Sequence, residues 1–254
     1  MHRLILAAAA VGIAFLAVSD ANSADTYPAR QRAQMDRLVS SVQPYNWTGF
    51  YVGLNGGYGR GQLRNDDPYG IGDIGTKGWT FGATAGYNWQ FANRWVLGLE
   101  TDFNWANIGG SQSRDLCPGC GSFSYTETQD VKMPWFGTTR ARLGFLPWQD
   151  LMVYATGGAA FAEVKSNTTS GSNSWWGSYA YDSSSSDWKV GWTAGGGAEY
   201  ALDRNWSIKA EYLYVDIGLR KNCYSYSGFG YASSSCDTAK LGEHIVRAGL
   251  NYKF

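Results

Sequence analysis

The sequence predicts an all-β protein, an eight-stranded antiparallel up-and-down transmembrane β-barrel with short periplasmic turns and long extracellular loops. Three observations carry this. Alternation of apolar and polar residues with a period of two recurs eight times between Trp47 and Phe254. The connections between these stretches are alternately short and long. An export segment stands in front of them all.

That segment begins with a short basic start, Met1-His2-Arg3, followed by a continuous apolar run from Leu4 to Val18 and then small residues. The run is too short for a comfortable membrane span and reads as a secretory signal peptide over residues 1–24, with cleavage after Ala21 or Ala24. Residues 25–46 are polar and without a sustained period; they read as an N-terminal periplasmic tail with one short helical stretch from Arg30 to Val42. Residues 47–254 read as the barrel.

The first stretch, WTGFYVGLNGGYG, sets Phe50, Val52, Leu54 and Tyr58 on one face. In WTFGATAGYNWQF, seven apolar residues from Trp79 to Phe91 alternate with Thr80, Gly82, Thr84, Gly86, Asn88 and Gln90. Ala92-Asn93-Arg94 turns the chain into WVLGLETDFNW, where Trp95, Leu97, Leu99, Phe103 and Trp105 oppose Gly98, Glu100, Asp102 and Asn104. WFGTTRARLGF places Trp135, Ala141, Leu143 and Phe145 against Thr138, Arg140, Arg142 and Gly144. After LPWQD comes LMVYATGGAAF, whose alternation is weak and leaves its phase open.

VGWTAGGGAEYAL sets Val190, Trp192, Ala194, Ala198, Tyr200 and Leu202 against Thr193, Gly195, Gly197 and Glu199. Asp203-Arg204-Asn205 connects it to WSIKAEYLY, with Trp206, Ile208, Ala210, Tyr212 and Tyr214 against Lys209 and Glu211. The last stretch, HIVRAGLNYKF, sets Val246, Ala248, Leu250, Tyr252 and Phe254 against Arg247, Gly249, Asn251 and Lys253.

Faces that are aliphatic in the middle and aromatic at the ends suit lipid with interfacial girdles, so the polar face points into the lumen. A soluble antiparallel sandwich also alternates, but it would carry aromatics at both ends of nearly every strand on one face and charges mixed with glycines on the other. A slip of one residue would send Lys209 into hydrocarbon at about 2–4 kcal/mol, so the phase is fixed.

Four lumen acids, Glu100, Asp102, Glu199 and Glu211, balance four bases, Arg140, Arg142, Lys209 and Arg247. A barrel this narrow is filled by its side chains, which favours a salt-bridged plug over an ion pathway. Inward glycines such as Gly53, Gly86 and Gly98 are expected to leave room for water. The tight connection at Asp203 to Asn205 sets Glu199 opposite Lys209, and these two are expected to pair.

The loop sequences SNTTSGSNSWWGSYAYDSSSSD and NCYSYSGFGYASSSC mix small polar residues with Tyr and Trp, as binding loops do; a solvated loop of no specific partner is the alternative. Cys117, Cys120, Cys223 and Cys236 are expected to form disulfides, Cys117 with Cys120 and Cys223 with Cys236, since the chain is exported. Their spacing does not suit a zinc site, and no cofactor or metal is expected.

Acidic and basic residues number 21 each, which gives no electrostatic case for nucleic acid as a partner. No GxSxG, HExxH or P-loop pattern occurs, and beyond the signal segment the only histidine is His244, expected on the lipid face. The sequence therefore reads as non-enzymatic.

NWTGFYVGLNGGYG, KVGWTAGGGAEYAL, WSIKAEYLYVDIG and the terminal RAGLNYKF together resemble the alphaproteobacterial outer-membrane immunogenic proteins, small opacity-like surface barrels often placed among porins. The resemblance covers residues 47–254 and implies an outer-membrane location and a surface, envelope-integrity or adhesion role. Tyr252 and Phe254 resemble the aromatic assembly signal read by the barrel-insertion machinery. The four cysteines are not part of the family pattern.

The expected function is that of a structural surface protein that stabilises the envelope and presents its loops for binding or adhesion. The alternatives are a narrow porin for small solutes and, more distantly, a lipid-modifying barrel enzyme. Expected partners are outer-membrane lipid and lipopolysaccharide, the insertion machinery, and an extracellular ligand of the loops.

Overall fold

The structure, a computed structural model, describes residues 45–65, 72–115, 124–175, 177–228 and 231–254, with the backbone alone for residues 65, 219–228 and 231–239. The signal segment, the tail up to Pro44 and its helical stretch, and Cys117 and Cys120 lie outside the described residues.

Eight strands close into one antiparallel barrel, each bonded to its neighbours in chain order and β1 to β8. They are β1 (Gly49–Asn65), β2 (Ile74–Phe91), β3 (Trp95–Asp115), β4 (Ser124–Trp148), β5 (Leu151–Ser174), β6 (Gly177–Ala201), β7 (Trp206–Gly228) and β8 (Tyr231–Lys253). Closure leaves no strand edge at membrane depth, which is what hydrocarbon demands of backbone N–H and C=O groups.

The outward parity is as the alternation dictates. Phe50, Leu54, Trp79, Leu99, Trp192 and Val246 are exposed, while Glu100, Arg140, Lys209 and Arg247 on the opposite parity are buried. Aromatic pairs mark both girdles. Trp95 packs on Phe145 and Trp206 on Tyr252 at the periplasmic end, and Tyr58 on Trp79 at the outer end. The open phase of β5 is settled by burial: Met152, Tyr154, Thr156, Ala160 and Ala162 point inward and Val153 outward.

The periplasmic turns are tight. Ala92 and Asn93 both take the left-handed conformation (φ 49° and 59°), which matches a short hairpin turn to the twist of its strands. In the β6–β7 turn, the Leu202 N–H donates to Trp206 O at 2.8 Å. The Asp203 side chain accepts the N–H groups of Asn205 and Trp206, both at 2.8 Å, and these bonds hold its carboxyl below the usual carboxylate range.

The extracellular side departs from expectation. The alternation predicts connections of roughly twenty residues between β1 and β2, β3 and β4, β5 and β6, and β7 and β8; the strands instead run on as paired ribbons above the girdle, β1 and β2 as far as Leu63↔Ile74 and β7 and β8 as far as Gly228↔Tyr231. Pairing of β5 with β6 continues to Ser174↔Gly177, so the Ser/Gly/Tyr/Trp-rich segment is mostly paired backbone. The reason is local. The segment has no proline to remove a ladder donor, and its threonines and tyrosines suit a strand once the barrel has started the pairing.

Pro134, which cannot donate to a ladder, sits where the β3–β4 and β4–β5 registers both shift. Inward parity in β4 changes there, from Met133 to Phe136, both fully buried.

Cys223 and Cys236 are direct Cα partners in the β7–β8 ladder. The expected outcome of peptide mapping without reduction is a Cys223–Cys236 peptide and a separate Cys117–Cys120 peptide. Any peptide joining the two loops would overturn this assignment.

Candidate functional site

Every strand contributes to one charged layer at mid-height in the lumen. Glu100 and Asp102 come from β3, Arg140 and Arg142 from β4, Glu199 from β6, Lys209 and Glu211 from β7 and Arg247 from β8. Tyr51 of β1, Asn88 of β2 and Tyr154 of β5 complete the ring. The period of two aims all of these inward at nearly one level, because staggered strands bring distant sequence positions side by side.

Arg140 is the hub. Its Nη1 lies 2.9 Å from Glu211 Oε1 and its Nη2 2.9 Å from Asp102 Oδ2, and Nη2 also donates to Glu100. Arg247 Nη2 reaches Asp102 Oδ2 at 3.0 Å and Glu211 Oε2 at 2.6 Å. Arg142 Nη1 lies 3.0 Å from Glu199 Oε2 and 3.5 Å from Glu100 Oε2. Lys209 Nζ donates to Glu100 Oε2 at 2.8 Å. All eight charged residues predicted for the lumen fall into this network, with side chains no more than 3% exposed.

Neutral partners take up the remaining lone pairs. Tyr51 Oη donates to Glu100 at 2.8 Å and Tyr154 Oη to Glu211 at 3.1 Å. Asp102 accepts from Thr138 at 2.7 Å and Asn104 at 2.6 Å, and Glu199 accepts from Ser207 at 2.6 Å and Asn251 at 2.8 Å. The Arg142 guanidinium lies over the rings of Tyr51 and Tyr154, 4.8 and 5.3 Å from their centroids.

The expected Glu199–Lys209 pair is corrected. The register is the one the turn sets, Tyr200↔Ile208 and Glu199↔Lys209. Among the described residues, however, no ion pair joins the two. Lys209 crosses the lumen to Glu100, and Glu199 turns to Arg142, Ser207 and Asn251. In a lumen this narrow the opposite wall is within reach, and Glu100 offers Lys209 a carboxylate already ordered by Arg140 and Tyr51.

A double-mutant cycle should therefore show strong coupling between Glu100→Gln and Lys209→Met and near-additivity between Glu199→Gln and Lys209→Met. The reverse pattern in reversible unfolding would contradict this geometry.

Inward glycines make room for neighbouring side chains. A Cβ at Gly86 would collide with the Tyr51 ring and hydroxyl, and one at Gly98 would meet the Asn88 and Arg142 side chains. These positions are vacated for neighbouring side chains.

Apolar residues fill the lumen on both sides of the charged layer. Toward the outside, Leu63, Ile74, Ile108, Val131, Met133, Phe136, Leu213, Ile217, Leu241 and Ile245 form one cluster, all at 3% exposure or less. Among the described residues one carboxylate lies at this level: Glu243, fully buried, accepts a hydrogen bond from Thr76. Toward the periplasm, Trp47 packs with Val96, Leu146, Met152, Tyr154 and Ala201.

Trp47 is not in β1, where the alternation placed it. It folds under the barrel, its indole N–H donating to Gln149 O at 3.0 Å and its backbone N–H to Gln90 Oε1 at 3.0 Å. Tyr45, at the end of the segment read as tail, packs edge-on against Trp47 with Lys253 Nζ 4.4 Å from its own ring centre. Burial pushes the Tyr45 phenol up to about 12.

Tyr252 packs between Trp206 and Phe254 at the periplasmic girdle, and the Phe254 N–H donates to Phe50 O at 3.0 Å. His244 lies on the outward face, its Nδ1 2.6 Å from Tyr212 Oη, and no acid or nucleophile of the charged layer meets it.

Residues 37–254 match the family described as outer membrane protein beta-barrel domain. The 31 kDa outer-membrane immunogenic protein of Brucella melitensis is 37% identical over 264 aligned positions that cover all of both chains. The 25 kDa outer-membrane immunogenic protein of Brucella abortus is 31% identical over 85% of this chain and 83% of its own. Among solved structures, Neisserial surface protein A aligns with a TM-score of 0.40 at 18% identity, over 82% of this chain and 98% of its own. On the family match and the full-length likeness to its relatives, the chain belongs to the outer-membrane β-barrel family that includes the outer-membrane immunogenic proteins.

Proposed function

We propose that this outer-membrane barrel is a sealed structural surface protein that stabilises the envelope and presents its extracellular hairpins for binding or adhesion. The observation that carries this reading is the filling of the lumen at three levels by buried side chains, with the charged layer between two apolar ones. An ion crossing it would have to break charge-assisted bonds that span the barrel and then pass Phe136 or Trp47. That disfavours the narrow porin. A lipid-modifying enzyme would need a nucleophile and a base in reach of each other on the outer face, and among the described residues the side chains that meet the His244 ring are Tyr212 and Tyr214.

The hairpins supply the presenting surface. Tyr179 and Tyr181 stand exposed on the same face of β6, and cross-strand from them on β5 are Ser172 and Ser170. Rigid aromatics among small polar residues give contact area with little side-chain entropy to lose.

A deletion strain should become more sensitive to detergent, with resistance restored by the wild type and by a version whose β5–β6 ribbon is shortened above Val164. The shortened version should lose retention of envelope or host components that the intact protein holds. A deletion strain as resistant as its parent would refute the stabilising role, and unchanged retention would refute the presenting one.

A further inference from the structure

Just above the outer girdle, the outward face of β2, β1 and β8 carries a cluster of basic side chains, which outnumber the acid facing them among the described residues, Asp216 of the neighbouring β7. Arg60 is the direct cross-strand partner of both Lys77 on β2 and His244 on β8. Four residues further along β1, Arg64 is the direct partner of Lys240. Arg60, Arg64, Lys77, Lys240 and His244 are all exposed.

Like charges directly opposite each other destabilise a sheet. Arg60↔Lys77 and Arg64↔Lys240 are two such pairs, four residues apart on β1, and among the described residues none of the four makes an ion pair. Asp216 lies beside them and is engaged by Tyr214 Oη at 3.3 Å. Elsewhere on the outer face, Lys132↔Lys165 is another like-charge pair, but there Lys165 Nζ has Glu163 at 3.4 Å.

Arg60, Arg64, Lys240 and His244 line a recess of about 590 Å³ to which Tyr212, Tyr214 and Asp216 also contribute, and Lys77 stands beside it as the cross-strand partner of Arg60. Its height is diagnostic. Tyr58 and Trp79, a cross-strand pair of the outer aromatic girdle, sit one pleat below Arg60 and Lys77. Residues on this parity face the outer leaflet of the membrane, at the depth of its headgroups rather than of its acyl chains. A free cation cluster at headgroup depth calls for an anionic headgroup.

We infer that this face is a binding site for the phosphorylated sugar headgroup of the outer-leaflet glycolipid, lipopolysaccharide. The two cationic pairs, Lys77–Arg60 (with His244 beside it) and Arg64–Lys240, are about 13 Å apart along β1 at the usual rise per residue. Two anionic groups at opposite ends of a disaccharide match them. The arginines fork onto phosphate oxygens, and the tyrosines offer faces and hydroxyls to the sugar. The acyl chains then lie along the aliphatic belt formed by Leu54, Val246 and Leu250.

The inference rests on the outer-membrane location and not on the sealed lumen, so the conductance of the barrel has no bearing on it. The test uses the folded full chain in zwitterionic micelles, titrated with bisphosphorylated lipid A and with the same lipid after phosphatase treatment. The bound fraction is read by native mass spectrometry, and heat-modifiable gel mobility verifies folding.

The variant Arg60→Gln/Arg64→Gln/Lys240→Gln should bind the bisphosphorylated lipid about 10- to 100-fold more weakly than the wild type. The wild type should discriminate against the dephosphorylated lipid to a similar degree, and Lys132→Gln/Lys165→Gln should leave binding unchanged. Should the triple variant fail to fold, Lys240→Gln alone carries the test, with a smaller loss in the same direction. Equal affinity of folded variant and wild type, or no discrimination between the two lipids, would overturn the inference. So would full displacement of the lipid by millimolar inorganic phosphate, which would assign the cluster to a free anion.

Discussion

Replacing Arg140 with Met is expected to destabilise the barrel by about 3–5 kcal/mol, the range found when one partner of a buried ion pair is removed. Arg140 donates to Glu100, Asp102 and Glu211, and none of these carboxylates has solvent to fall back on. Arg247 would be left to hold Asp102 and Glu211 together, two acids drawn into one site by two bases. Reversible urea unfolding in lipid vesicles, followed by tryptophan fluorescence, measures the loss. A cost under about 1 kcal/mol is what a solvated surface pair would give, and would mean that water reaches the layer.

Trp47→Ala is expected to cost about 3–5 kcal/mol, as other deletions of a large buried aromatic side chain do. Trp47 is 1% exposed and belongs to a buried cluster with residues from four strands at the periplasmic mouth. Trp47→Phe keeps much of the packing and loses the bond to Gln149 O, so its cost should fall to about 1–2 kcal/mol. If Trp47→Ala unfolds at the wild-type denaturant concentration, the segment before β1 hangs free of the barrel and does not close it.

Much of this architecture is legible in the sequence because a membrane barrel leaves few options. Hydrocarbon outside and a narrow lumen inside impose one parity along each strand, so Glu100, Arg140, Lys209 and Arg247 reveal their direction by charge alone. The tight β6–β7 connection likewise fixes which residues face each other. It does not fix which residues bond, because pairing in a closed barrel is a contest among all eight walls. Lys209 has Glu199 as its cross-strand neighbour and Glu100 as its partner, and only the three-dimensional arrangement distinguishes the two.

The apolar upper lumen was harder to see for a related reason. Ile108, Leu213, Ile217 and Ile245 are apolar residues on the inward parity, and beyond the girdle both faces of a strand carry mixed residues, so alternation fades as a signal. In β4 the register shift at Pro134 also moves the inward parity, hiding Met133 and Phe136 from any single count. The ribbons above the membrane were hidden by composition, since Ser, Gly and Asn are common in loops. The basic face of β1 and β8 spans two strands far apart in the sequence, and only closure of β1 on β8 brings Arg64 beside Lys240.

Single-channel recording of the folded protein in planar bilayers tests the sealed lumen most directly. The filled and salt-bridged interior predicts no stable conductance in the wild type at any applied voltage that the bilayer survives. Reproducible steps in the nanosiemens range would contradict it, because a current of that size needs a continuous water column through the layer that Arg140 and Glu100 occupy.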